Sequence, residues 1–237
     1  MTQKIRILLL SANPWSVSRI LVDEEAREIE KRIQEGPYGD RFELHNHTAA
    51  RPKDLQRLLL KYRPQIVHFS VHGSKSRRLI LAGSHGRGRA IDEQGLTDLL
   101  ALYNHDVRLV VLNACFTEAQ ARSISEVVNY SIGTCQAIGD KVCVAFAGAL
   151  YRALGFGKPL REAFESAKAE LALTKMPRSR GIELFVREGV GEHDSFPSVE
   201  RFRSIVPAHI DTNLRLKTKP RFEYRITTIQ QTVLAFS

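Results

Sequence analysis

Cysteine is scarce in this sequence of 237 residues, which contains only Cys115, Cys135 and Cys143. Their number is odd and none of them belongs to a CxxC motif, which argues against a disulfide framework and against a zinc ribbon. A cysteine without such a partner usually acts as a small apolar core side chain, and we expect this of Cys135 and Cys143. No metal site and no cofactor are predicted.

Long apolar segments are also missing. No run approaches the ~20 apolar residues that span a membrane. Residues 1–4 lead directly into a strand-like segment, which lacks the apolar core and the small-residue cleavage site of a signal peptide. We therefore expect no membrane span and a cytoplasmic location.

The overall composition is that of a globular protein, because 43% of the residues are hydrophobic and 26% are charged. These fractions exclude disordered, collagen-like and fibrous classes. The net charge is +9, and residues 201–237 supply +5 of it through seven basic and two acidic side chains. A basic segment attracts nucleic acid, anionic membranes or acidic partners. A solubilising extension is the favoured interpretation, and nucleic-acid binding stays open.

Short apolar runs alternate along the chain with longer segments of helical period. The predicted strands are residues 5–11, 42–47, 66–71, 79–82, 107–112, 130–134 and 183–186. The predicted helices are residues 22–33, 55–62, 96–103, 123–128, 142–154 and 160–171, and residues 83–89 are predicted to be a loop.

This alternation is typical of right-handed βαβ units, and it predicts an α/β fold with a mostly parallel sheet flanked by helices on both faces. One domain is expected to cover residues 4–190. Residues 191–237 would form a basic C-terminal extension of unknown role, in which residues 222–234 have some strand character.

Two chemically reactive side chains directly follow predicted strands. The strand at 66–71 leads into His72 and Gly73, and the strand at 107–112 leads into Asn113 and Cys115. In an open parallel sheet, ligands and catalytic groups gather where the strands end. If the two strands are neighbours, the imidazole and the thiol face each other across that edge.

A histidine beside a cysteine gives a nucleophile and a base. A thiol alone is only slightly ionised near neutrality, whereas an adjacent imidazole accepts its proton and later protonates a leaving amine. Gly73 leaves room for a substrate backbone, and its N–H could help to hold an oxyanion. The pattern predicts a cysteine hydrolase, while a structural role for a cysteine at a strand end remains the alternative.

The local sequences around these residues resemble the CHAT family of caspase-like cysteine peptidases. The most specific matches are the His-Gly element of residues 66–73 and the Asn-Ala-Cys element of residues 109–115. Flanking matches at residues 7–14, 118–121, 131–134, 138–140 and 151–164 extend the resemblance over roughly residues 4–175.

The resemblance implies a caspase–hemoglobinase-like three-layer sandwich and a His72/Cys115 dyad that cleaves peptide bonds. It further implies a cysteine endopeptidase that cleaves a protein partner in bacterial signalling or defence. The family often carries a sensor ahead of the peptidase, whereas here the match begins at residue 4, so we expect a separate activating or sensor protein. The alternatives are a catalytically silent interaction module and, less favoured, a nucleic-acid-binding α/β domain.

Two residues bear on substrate choice. In related caspase-like enzymes the residue two before the nucleophile helps to line the pocket for the side chain that precedes the cut. Asn113 takes this place and is neutral, which predicts a neutral residue before the scissile bond. Asp140 is either an acidic wall of that pocket or the N-cap of the following helix, and the cap is the favoured interpretation.

Overall fold

A six-stranded sheet organises the chain. The computed structural model describes residues 4–74, 77–176, 179–191, 194 and 196–197, and the predicted strand character of residues 222–234 lies outside this part. The strands of the sheet are β1 (Ile5–Ser11), β2 (Phe42–His47), β3 (Ile66–Ser70), β7 (Leu109–Asn113), β8 (Tyr130–Thr134) and β9 (Ile182–Val186). Within the sheet they lie in the order β2-β1-β3-β7-β8-β9.

Five of these strands run parallel, and only the edge strand β9 pairs antiparallel, with Tyr130 opposite Val186. Every residue of β3, β7 and β8 is buried. Burial on both faces explains why these segments are continuous apolar runs and not alternating ones.

Two cores cover the two faces of the sheet. Ile7 and Leu9 of β1 belong to one core, and the intervening Leu8 belongs to the other. Helices α1 (Val22–Gln34), α5 (Asp140–Gly155) and α6 (Leu160–Leu173) pack on the first face. Helices α2 (Leu55–Tyr62), α3 (Glu93–Leu102) and α4 (Glu118–Ser125) pack on the second face. The predicted three-layer α/β sandwich is confirmed.

A small antiparallel sheet follows the third strand of the chain. It consists of β4 (His72–Gly73), β5 (Leu79–Ala82) and β6 (Gly88–Ala90). The prediction of a loop over residues 83–89 is wrong in its last part, because Leu81 and Arg89 are paired. A tight turn, closed by the Gly83 N–H donating to the Arg87 carbonyl at 2.7 Å, allows this pairing.

The helix predicted at residues 123–128 begins earlier than expected. Helix α4 starts at Glu118 and ends at Ser125, after which the chain turns with the Val128 N–H bonded to the Ile124 carbonyl. Val128 of that turn is buried and Val127 partly buried although neither is helical, which is why periodicity misplaced the helix. Among the described residues, no helix has the length and apolar character needed to cross a membrane.

Candidate active site

The two strands that carry the predicted reactive residues are direct neighbours. Ser70 at the end of β3 lies opposite Asn113 at the end of β7. The two strands therefore end side by side. The segment after β3 begins with Val71 and His72, and the segment after β7 leads through Ala114 to Cys115.

The backbone at Gly73 packs against the backbone of Cys115. A Cβ atom at position 73 would lie 1.9 Å from the Cys115 carbonyl oxygen and 3.0 Å from its nitrogen. Such distances exclude any side chain larger than hydrogen without a backbone shift. Glycine at this position thus permits the segment that holds His72 to reach the segment that holds Cys115.

One cavity of about 200 Å³ lies at this edge of the sheet, and all five residues singled out from the sequence line it: His72, Gly73, Asn113, Cys115 and Asp140. Further lining residues come from the loop before α1, from α1 itself, from the end of β3, and from the segment before α5 and its first turn. They include Ser18, Glu25, Ser70, Ile138 and Cys143.

The half-buried imidazole of His72 is held in one tautomer. Its Nε2 atom lies 2.5 Å from the carbonyl oxygen of Ser18. Because a carbonyl only accepts hydrogen bonds, Nε2 carries the hydrogen, and in the neutral ring Nδ1 then carries the lone pair. The ring is oriented by this contact and retains one nitrogen as a base.

The Cys115 side chain is half-buried, and its thiol donates weakly to the Ile138 carbonyl at 3.6 Å. Two buried threonine hydroxyls hold the backbone turn that carries Cys115. Thr117 Oγ1 lies 3.2 Å from the Ala114 carbonyl, and Thr134 Oγ1 donates to the same oxygen at 2.6 Å. Phe116 takes a left-handed backbone conformation with φ 57°. These contacts hold the thiol at the cavity in a sharply turned segment.

A buried carboxylate that the sequence analysis did not single out lies at the same cavity. Glu25 of α1 accepts hydrogen bonds from His68 Nε2 at 2.8 Å, from Ser70 Oγ at 2.5 Å and from Asn113 Nδ2. The Asn113 amide also donates to the Cys143 carbonyl at 3.2 Å. Asn113 is therefore a link between the turn of Cys115 and a carboxylate.

The sequence carried a signal for this network. Glu25 falls on the apolar stripe of α1 between Val22 and Ala26, where a charged residue is unusual. His68 and Ser70 alternate with apolar residues of β3, so both side chains point to the face that α1 covers. Polar residues on buried faces of two adjoining elements indicate a shared hydrogen-bond network.

Asp140 is the first residue of α5 and not its cap, so the favoured interpretation as an N-cap is wrong. Gly139, with extended backbone, occupies the cap position and no side chain caps the helix. Burial raises the pKa of Asp140, His72 opposes the rise and Glu25 adds to it. Asp140 is thus within electrostatic range of both side chains.

The other two cysteines differ from each other. Cys143 is packed against the core and lines the cavity, and burial together with Glu25 raises the pKa of its thiol well above its ordinary value. Cys135 is exposed, so its prediction as a core residue is wrong. Its backbone N–H donates to the Gly181 carbonyl at 2.9 Å, just beyond the last residue pair of β8 and β9.

The model of the CHAT domain family matches residues 12–198. A protein named Roc-COR-CHAT protease, from an unidentified prokaryote, is 29% identical over 136 residues, which make up 55% of this chain and 13% of that relative. The chain therefore spans only a small part of this relative's length.

Solved structures share the fold at low identity. A secreted C11 cysteine protease from Bacteroides thetaiotaomicron, in complex with an irreversible peptide inhibitor, matches with a TM-score of 0.56 and 13% identity over 77% of this chain and 66% of that one. The Drosophila initiator caspase Dronc matches with a TM-score of 0.52 and 10% identity over 77% and 79% of the two chains. The expected caspase-like fold is confirmed.

Proposed function

Because this chain belongs to the CHAT domain family, we propose that it is a cysteine endopeptidase in which His72 and Cys115 form the catalytic dyad. The observation that carries the proposal is their shared cavity at the ends of two neighbouring parallel strands. The fixed tautomer of His72 supports it, since a base needs one free nitrogen. The peptidase named among the relatives and the protease fold of the structural neighbours support the reaction class.

In the proposed reaction Nδ1 of His72 takes the thiol proton of Cys115, and the thiolate attacks the carbonyl carbon of the scissile peptide. The oxyanion that forms would accept hydrogen bonds from backbone N–H groups, with Gly73 as the proposed donor. The imidazolium then gives its proton to the departing amine, which leaves a thioester. Water attacks the thioester, His72 takes its proton, and the carboxylic product leaves with restoration of the thiol.

The proposal extends to the substrate and to the regulation of the enzyme. The substrate is a protein, whose residue before the cut would enter the cavity beside Asn113 and Asp140. We further propose that a separate activating or sensor protein governs the enzyme and that it serves bacterial signalling or defence. One relative is named Roc-COR-CHAT protease. This name combines a CHAT protease with two further parts, which supports a link between such peptidases and other modules.

The preference for a neutral residue before the cut rested on Asn113 alone. With Asn113 donating to a buried carboxylate, its neutrality no longer describes the charge of the cavity. The side chain that the cavity selects therefore has to be inferred from Glu25 as well as from Asn113.

The experiment that tests the function maps new peptide termini. The protein and its Cys115→Ala and His72→Ala variants are incubated with unfolded proteins, and the products are identified by mass spectrometry. We expect a defined set of new termini with the parent protein and none with either variant. Termini that persist in Cys115→Ala, or a parent protein that yields no more than that variant, would contradict the proposal.

A further inference from the structure

The cavity beside Cys115 ends against a carboxylate that is withdrawn from solvent. The Glu25 side chain is 4% exposed and still lines the cavity, together with Ser70 and Asn113, which both donate to it. A buried carboxylate needs either a counter-charge or a set of donors to remain ionised.

The hydrogen bonds of His68 indicate which of its nitrogens donates to Glu25. Its Nδ1 lies 3.0 Å from the Tyr151 hydroxyl, and Tyr151 keeps its proton because burial raises the pKa of its phenol well above the ordinary value. The hydroxyl therefore donates to Nδ1, and the hydrogen of the neutral ring sits on Nε2, which donates to Glu25. If His68 carried two hydrogens, the phenolic hydrogen would have no acceptor among the described residues.

Three donors, on His68, Ser70 and Asn113, thus surround the Glu25 carboxylate. Within the described part of the chain, no lysine or arginine forms an ion pair with Glu25. The described lining of the cavity contains two carboxylates, Glu25 and Asp140, and the imidazole of His72, but no lysine or arginine. A cavity lined in this way offers carboxylates and no lysine or arginine from its described lining to an entering side chain, in a region of low dielectric where charge interactions are strong.

One oxygen of the carboxylate has fewer donors than the other. Among the described residues, Oε1 of Glu25 takes the hydrogen bonds of His68 and Asn113, whereas Oε2 takes only that of Ser70. A carboxylate has about four acceptor positions. A cationic side chain that enters the cavity would add both the missing donor and the missing counter-charge, and a neutral or acidic side chain would add neither.

We propose that Glu25 is the specificity-determining residue of this cavity and that it selects an arginine or lysine side chain immediately before the scissile bond. The inference rests on the proposed peptidase function and replaces the neutral preference predicted from Asn113. Asn113 becomes a positioning residue, because it holds the Glu25 carboxylate next to the turn of the nucleophile.

The test uses peptidyl acyloxymethyl ketones that differ only in the residue next to the ketone, which is arginine in one probe and citrulline in the other. The two side chains have nearly the same shape, and only arginine is charged. The rate of Cys115 alkylation is read by intact mass and peptide mapping in the parent protein, in Glu25→Gln and in Cys115→Ala. Glu24→Gln is the matched control, because Glu24 is an exposed neighbour on the same helix.

We expect the parent protein and Glu24→Gln to react with the arginine probe at least about tenfold faster than with the citrulline probe. In Glu25→Gln the ratio should fall towards one while citrulline labelling persists, which also shows that the variant is folded. A ratio near one in the parent protein would overturn the inference without any variant, and so would an unchanged ratio in Glu25→Gln. Failure of both probes to label Cys115 would instead contradict the peptidase proposal on which the inference rests.

Discussion

Gly73 and Cys115 are in backbone contact, so that a Cβ at residue 73 would come within 1.9 Å of the Cys115 carbonyl oxygen. This contact joins the loop of the proposed base to the turn of the proposed nucleophile. It also explains why a glycine follows His72, since any other residue would force the two segments apart.

Replacing this glycine tests the contact. Gly73→Ala should shift the Cys115 turn and slow alkylation of Cys115 by a peptidyl electrophile about 100-fold, because small displacements of a reacting group are costly. Gly191→Ala is the control, since a Cβ at residue 191 meets no atom of the described residues within 4 Å. Equal alkylation rates in Gly73→Ala and the parent protein would show that the contact is not required.

The buried hydrogen bond between Tyr151 and His68 makes a prediction about stability. Tyr151→Phe removes the donor to His68 Nδ1 and leaves a buried acceptor unpaired, which should lower the free energy of unfolding by about 1–3 kcal/mol. Urea denaturation measures the change. Tyr103→Phe serves as the control, because the Tyr103 hydroxyl forms no hydrogen bond within the described residues. A variant as stable as the parent would argue against the assigned tautomer of His68.

Asp140 makes a prediction about pH. Burial raises the pKa of Asp140, so the folded protein binds this proton more tightly than the unfolded chain does. Its contribution to stability therefore becomes less favourable as the pH rises from the pKa of the unfolded state through that of the folded state. Asp140→Asn removes the contribution, and its stability relative to the parent should improve as the pH rises above the ordinary aspartate pKa of about 3.9.

Urea denaturation at several pH values tests this prediction for Asp140. Asp23→Asn is the matched control, because Asp23 lies exposed in the first turn of another helix. A difference between Asp140→Asn and the parent that stays constant with pH, or that moves in the opposite direction, would refute the assignment.

The strands of the sheet were predictable because burial on both faces leaves continuous apolar runs. Residues 5–11 and 130–134 are strands with the predicted bounds. The edge strand Gly88–Ala90 was not predictable in the same way, since its pairing is made by the backbone and its side chains are largely exposed. Local turn geometry, and not apolar patterning, determines that strand.

The site residues that follow directly after strands could be predicted from the sequence. His72, Gly73, Asn113 and Cys115 were found because they directly follow apolar runs, and the structure places them around one cavity. Glu25 was missed because it comes from a helix about ninety residues earlier in the chain than Cys115. Only the packing of α1 over β3 and β7 brings its carboxylate to the cavity, and one charged residue on an apolar stripe does not identify its partner.

The most direct test of the dyad compares two thiols within one molecule. The protein is treated with limiting iodoacetamide at about pH 6.5, where an ordinary thiol is almost entirely protonated, and the alkylation rates of Cys115 and Cys135 are read by peptide mapping. The exposed Cys135 is the internal reference, because slight desolvation of its sulfur and nearby Glu183 raise the pKa of its thiol. The same ratio is then measured in His72→Ala.

If His72 activates Cys115, the parent protein should alkylate at Cys115 at least about tenfold faster than at Cys135, although Cys115 is the less exposed thiol. In His72→Ala the advantage of Cys115 should disappear while Cys135 reacts as before. A Cys115 that reacts no faster than Cys135, or that keeps its advantage without the imidazole, would contradict the dyad.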